Sequence, residues 1–163
     1  MNNLTLKRLL HSNTGLGSLA LRIPVGFILA AHGAQKLFGW FGGYGLEGTG
    51  QWMASIGLEP GYLMALLAGS AEFFGGLALV FGLLTRPAAA LSAFTMLVAI
   101  FSAHISHGLF VSNNGYEFAL SLFAATLALA IQGGGSLSID SRLSGAFYQR
   151  HSDYAHDVSA SAA

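Results

Sequence analysis

A few ionisable side chains interrupt otherwise apolar runs, and their spacing groups them. His32 and Lys36, in "AAHGAQKLFG", are four residues apart and share one face of a helix. His104 and His107, in "SAHISHGLF", are three apart and do the same. Glu72 lies near the middle of "GYLMALLAGSAEFFGGLALVFGLL", and Glu117 opens "YEFALSLFAATLALAIQ". An apolar slot with a His or Lys donor for a carbonyl oxygen, and a carboxylate to move protons, is what a quinone site needs. The histidines with Glu72 would also suit a transition metal or, through paired histidines, a haem iron. His104-x-x-His107 is not a recognised metal motif and has no third ligand nearby in sequence, so no metal ligand set is assigned. A proton or small-solute path is the third chemistry these residues could serve.

The chain that must position them has 163 residues, 53% hydrophobic and 9% charged, with a mean hydropathy of +0.59. Soluble domains carry roughly a quarter of their residues as charges. Too few are present here to cover a water-facing surface, which points to one compact membrane domain in contact with the lipid bilayer. Net charge is zero, so no basic field suggests nucleic acid. Cysteine is absent, which removes disulfide and thiol-nucleophile chemistry from the chain's own residues.

Four apolar runs are expected to be helices, at about 16–38, 61–84, 87–110 and 116–132. In hydrocarbon every backbone N–H and C=O must be paired, which leaves helices or closed barrels, and these continuous Leu/Ala-rich runs lack a barrel's alternation. The fold class is therefore an all-α membrane protein, a four-transmembrane-helix bundle over 16–135. The fourth run is the shortest, and a buried or re-entrant helix is its alternative. Arg22 and Pro24 argue against reading the first run as a cleaved signal peptide. In the first external loop, Trp52, Met53 and Ile56 suit one short amphipathic helix, with Trp40, Phe41, Tyr44, Trp52 and Tyr62 as an aromatic belt.

Lys7, Arg8, Arg86, Arg142 and Arg150 fall on one side of this topology. By the positive-inside tendency, segments 1–15 and 136–163 are both cytoplasmic, the latter partly disordered. Arg22 and Arg86 are read as structural or topological. Arg22 could snorkel to headgroups or reach Glu72 by long side chains, and Lys36 taken alone could also snorkel. His107 and Glu117 could mark the water boundary, and His104 could be a core histidine bonded to a carbonyl. Turned inward together, His32, Lys36, His104, His107 and Glu117 would line an outer polar pocket floored by Glu72, with Gln35, Asn113 and Asn114 at its rim. Glu72 and His104 are the candidate catalytic groups; His32, Lys36, His107 and Glu117 are the candidate substrate contacts.

The order of several elements resembles the DoxX family of small bacterial four-helix inner-membrane proteins. The resemblance runs through "LRIPVGFILAAHGAQKLFG", "GLEGTGQWMASIGLEPG", "AEFFGGLALVFGLLTRPAA" and "LALAIQGGGSLSID". Arg22, Gly33, Lys36, Glu72, Gly76, Gly82, Thr85 and Arg86 fall on the family's pattern. The resemblance implies an inner-membrane, multi-pass protein. It also implies a link to membrane oxidoreductase assemblies, including thiosulfate:quinone oxidoreduction and defence against oxidative or thiol stress. The function expected is a membrane subunit of an oxidoreductase system handling quinone or a small redox metabolite, with quinone placed before haem. Partner oxidoreductase subunits or further copies of the chain would accompany it. The competing expectation is a non-catalytic scaffold or small-solute permeation protein whose buried charges lock helix packing.

Overall fold

The computed structural model describes residues 14–144, and among these there are helices and turns but no strand. Helix α1 is Thr14–Phe38, α2 is Gly45–Ser55, α3 is Gly61–Phe81, α4 is Thr85–Ala99 and α5 is Glu117–Gln132. α4 continues through a π-helical segment, Ile100–His104, and a 3-10 turn, Ile105–His107. α1, α3, α4 and α5 form the four-helix membrane bundle, and α2 is the short helix of the first loop, with Met53 buried and Trp52 exposed.

α1, α3 and α4 with its continuation are each long and apolar enough to cross a membrane. α5 has 16 residues, about 24 Å at 1.5 Å per residue, against a hydrocarbon core of about 30 Å. Local bilayer thinning accommodates such a helix at modest cost. Its inner face packs fully: Leu122 and Leu129 join Val25 and Leu29 of α1, Leu79 of α3, and Ala89 and Met96 of α4 in one core. Phe27, Phe74, Phe81, Phe94 and Phe101 point outward, as large apolar side chains do where lipid is the solvent.

α1 and α3 run antiparallel at unusually close range. A Cβ on Gly26 would lie 2.6 Å from the Gly76 carbonyl oxygen, and one on Gly33 would lie 2.3 Å from the Phe73 nitrogen and 2.7 Å from the Gly69 oxygen. Each helix thus presents two glycines seven residues apart, Gly26 and Gly33 against Gly76 and Gly69. Small residues in such a row let backbones approach, which drives association where lipid offers no hydrophobic force between helices. Ala71, Gly75, Ala89 and Ala93 are buried as well, and a Cβ on Gly75 would lie 2.9 Å from Ser92 Oγ of α4.

Several helix ends depart from the expected limits. The run expected to 84 stops at Phe81, because Gly82 adopts φ 67 and closes a Schellman end: Gly82 N–H donates to Leu79 O and Leu83 N–H to Ala78 O. The run expected over 87–110 starts at Thr85, because the Asp140 carboxylate accepts the N–H groups of Leu84 (2.7 Å) and Thr85 (2.8 Å). It ends by His107, ahead of Gly108 at φ 78. Burial pushes the Asp140 carboxyl up, but those two N–H groups and the Arg22 charge outweigh it and hold it below the usual range. The cap therefore contributes fully above pH about 3.9, the ordinary aspartate value, and fades as pH falls through the lower folded value. Residues 133–144 are thus part of the bundle's end. The disordered end expected of the tail, with Arg150, and the segment carrying Lys7 and Arg8 lie outside the described residues.

Candidate functional site

The polar residues of the spans gather in two places. The first is a knot where α1 begins, α3 ends and α4 starts. Arg22 is 2% exposed, and its guanidinium donates to four carbonyls: Gly134 (3.2 Å), Leu79 (3.1 Å), Leu137 (2.6 Å) and Val80. Ser18 donates to the Gly133 carbonyl at 2.5 Å. The carbonyls at the C-terminus of α3 have no partners within the helix, and a planar cation with a fork of donors is well matched to them. Arg22 therefore neither snorkels nor reaches Glu72; its donors go to backbone oxygens around it. Arg86 lies exposed in the first turn of α4 beside Gly133, lining a cleft of about 440 Å³ with Gln132, Ser138 and Asp140.

The second place joins α1 to α3. Lys36 Nζ lies 2.5 Å from Glu72 Oε2; Glu72 is 3% exposed and the Lys36 side chain 23%. The lysine that could have snorkelled outward instead reaches inward to the mid-helix carboxylate. The glycine contacts make this possible, since Gly33 and Gly69 bring the two backbones together beside the pair. In a low-dielectric interior, each charge offsets much of the other's desolvation, and removing either partner alone is costly.

The other candidate residues take separate positions. His32, one turn before Lys36, is half-buried with its ring centroid 5.8 Å from that of Phe118 at the start of α5. His104 Nδ1 donates to the Asn114 carbonyl at 2.8 Å, committing the single N–H of a neutral ring. Glu117 Oε1 accepts the Val111 N–H at 2.7 Å, so both groups hold the 108–116 loop. His107 is exposed beside Ser106. Gln35 donates to the Phe41 carbonyl at 3.3 Å and steadies the turn after α1. The structure thus brings Lys36 and Glu72 together with His32 one turn away, while His104 and Glu117 bond into the loop. The apolar cleft of about 360 Å³ at Leu97, Val98, Phe101 and Ser102 takes in none of these residues. No cluster of three or more His, Asp or Glu able to hold a metal occurs among the described residues.

Sequence reading missed two features. Asp140 was passed over as part of a polar tail, with only "SID" as a capping signal. The facing of Gly69 by Gly33 was legible only as a seven-residue spacing on two different helices.

Fold and site together define a helical membrane protein whose bundle is closed at one end by a buried arginine and crossed by an intramembrane ion pair. The chain belongs to the DoxX family, whose sequence profile matches residues 17–105. It is 34% identical over 125 residues to CatD of Bacillus subtilis (strain 168), named as a candidate oxidoreductase, covering 77% of this chain and 85% of that one. It is 38% identical over 129 residues to the inner membrane protein YqjF of Escherichia coli (strain K12), covering 77% and 90%. It is 35% identical to YphA, another inner membrane protein of that strain, covering 76% and 88%. No solved structure matches the chain. The family elements singled out in the sequence fall into the two places described: Arg22, Gly82, Thr85 and Arg86 at the knot, and Gly33, Lys36, Glu72 and Gly76 along the α1–α3 seam.

Proposed function

We propose that this protein is a membrane subunit of an oxidoreductase system that handles a quinone or a small redox metabolite beside the Lys36–Glu72 pair. The observation that carries the reading is that pair. A lysine and a carboxylate 2.5 Å apart inside spanning helices are expensive to place and are characteristic of proton-handling sites. An ammonium has three donors, and Glu72 Oε2 takes one of them. The rest of Lys36, partly exposed, suits a carbonyl oxygen of a bound head group, and His32 stands one turn deeper on the same helix. A quinone takes up two electrons and two protons on reduction to the quinol. Electrons come from a partner dehydrogenase, and Glu72 relays protons. In this reading His104 and Glu117 hold the 108–116 loop, and Arg22 and Arg86 stay structural. The name of CatD supports the class of reaction.

Protein purified in mild detergent is expected to carry co-extracted quinone by mass spectrometry, and added quinone analogues should raise its thermal midpoint. Glu72→Gln should abolish that rise while the protein still folds. No quinone and no shift would remove the redox reading.

A second reading is favoured by one observation: Glu72 is satisfied internally by Lys36. In it the pair only locks helices, and the chain is a scaffold or small-solute permeation protein. Glu72→Gln then costs assembly and leaves no ligand effect to lose.

The names of YqjF and YphA support residence in a bacterial inner membrane. We propose that both termini lie in the cytoplasm. The start of α1, the turn bearing Arg86 and the segment bearing Arg142 meet at one end of the bundle, as positive-inside topology requires. A C-terminal reporter active only in the periplasm should stay silent; a strong signal would overturn the orientation.

A further inference from the structure

Lys36 stands in the last turn of α1 and could run outward to headgroups, the usual course for a lysine near a helix end. It runs inward instead, and the path crosses Gly69. A Cβ on Gly69 would lie 3.2 Å from Lys36 Cβ, 2.8 Å from Leu37 Cδ2 and 2.9 Å from Leu37 Cγ. Glu72 is three residues further along α3, on the same face. The Leu37 atoms are the far end of a flexible side chain and can give. Lys36 Cβ is fixed to the backbone of α1, and no rotamer of the lysine moves it. The backbone has no slack, because Gly33 already meets Gly69 O and Phe73 N closer than any Cβ could.

We infer that Gly69 is a positioning residue: its bare Cα lets the backbone of α1 at Lys36 lie close enough to α3 for the lysine to reach Glu72 rather than the headgroups. This rests on the Lys36–Glu72 pair being the site. A side chain at 69 pushes the end of α1 back from α3, so the lysine falls short of Glu72 and turns outward, with both charged groups still present.

The test reads the lysine directly and needs no substrate. Full-length protein in liposomes is treated with a membrane-impermeant amine-acylating ester, and modification of Lys36 is followed by mass spectrometry. In the parent Lys36 should react slowly. In Gly69→Ala, and in Glu72→Gln, it should react several-fold faster. Adding Gly69→Ala to Glu72→Gln should change nothing more, because the lysine is already released. Gly69→Ala combined with Leu37→Ala removes the two closest contacts, keeps the one to Lys36, and should still label fast if the single variant folds poorly. Slow labelling in folded Gly69→Ala/Leu37→Ala would overturn the inference. So would labelling in Gly69→Ala/Glu72→Gln well above that of Glu72→Gln. Failure of quinone to bind would leave these rates untouched, so the two readings fail separately.

Discussion

Replacing Arg22 by Met is expected to abolish the folded protein, seen as loss of detergent-soluble monodisperse material and of the thermal transition. The guanidinium serves the carbonyls of Leu79, Val80, Gly134 and Leu137. Methionine fills much of the same volume and donates nothing. Leu79 O keeps the Gly82 N–H, but each of the other three carbonyls left buried without a partner costs about 1–3 kcal/mol, together comparable to the roughly 5–15 kcal/mol net stability of an ordinary domain. Arg22→Lys should rescue little, because an ammonium cannot present a planar fork to oxygens that come from α3 and the 134–137 segment. A folded, thermally normal Arg22→Met protein would show that the knot is ornamental.

Gly76→Leu should be nearly as damaging, for a different reason. Even a Cβ at this position would lie 2.4 Å from the Ala30 nitrogen and 2.5 Å from the Gly26 oxygen. These are backbone atoms of a helix, so no rotamer change relieves the clash; α1 and α3 must separate. Overpacking typically costs about 1–3 kcal/mol and occasionally more, and here separation would also pull Lys36 from Glu72. The expected result is a large fall in thermal midpoint together with loss of any analogue-induced stabilisation. Gly17→Ala is the control: nothing lies within 4 Å of a Cβ there, and the helix should tolerate it. Equal behaviour of the two variants would contradict close backbone contact along the seam.

The candidate site was partly legible. The sequence marked Glu72, Lys36 and His32 as costly residues in apolar runs, and it marked Arg22 for the same reason. It did not indicate their partners. Arg22 was offered Glu72 as a partner only through long side chains, because their depths differ, and depth in any case ignores azimuth and the inward lean of a side chain. Once Gly26 faces Gly76 and Gly33 faces Gly69, α1 and α3 are held in one register. In that register Lys36 meets Glu72, while Arg22 meets the end of α3. The outer polar pocket, similarly, depended on His104 and Glu117 turning toward His32. Their polar atoms bond instead to Asn114 and Val111, because the loop between α4 and α5 has backbone groups of its own to satisfy.

Composition alone determined that this chain lives in a membrane and that it does so as helices. Too few charges face too much apolar length, and continuous Leu/Ala-rich runs satisfy the backbone in hydrocarbon as helices, where a closed barrel would need alternation. Local sequence also located the helices to within a few residues, since apolar length is a one-dimensional property. What only the tertiary structure decided is which buried charge answers which. Partnership depends on how far apart two backbones lie and how they are rotated, and a few glycines on separate helices set both.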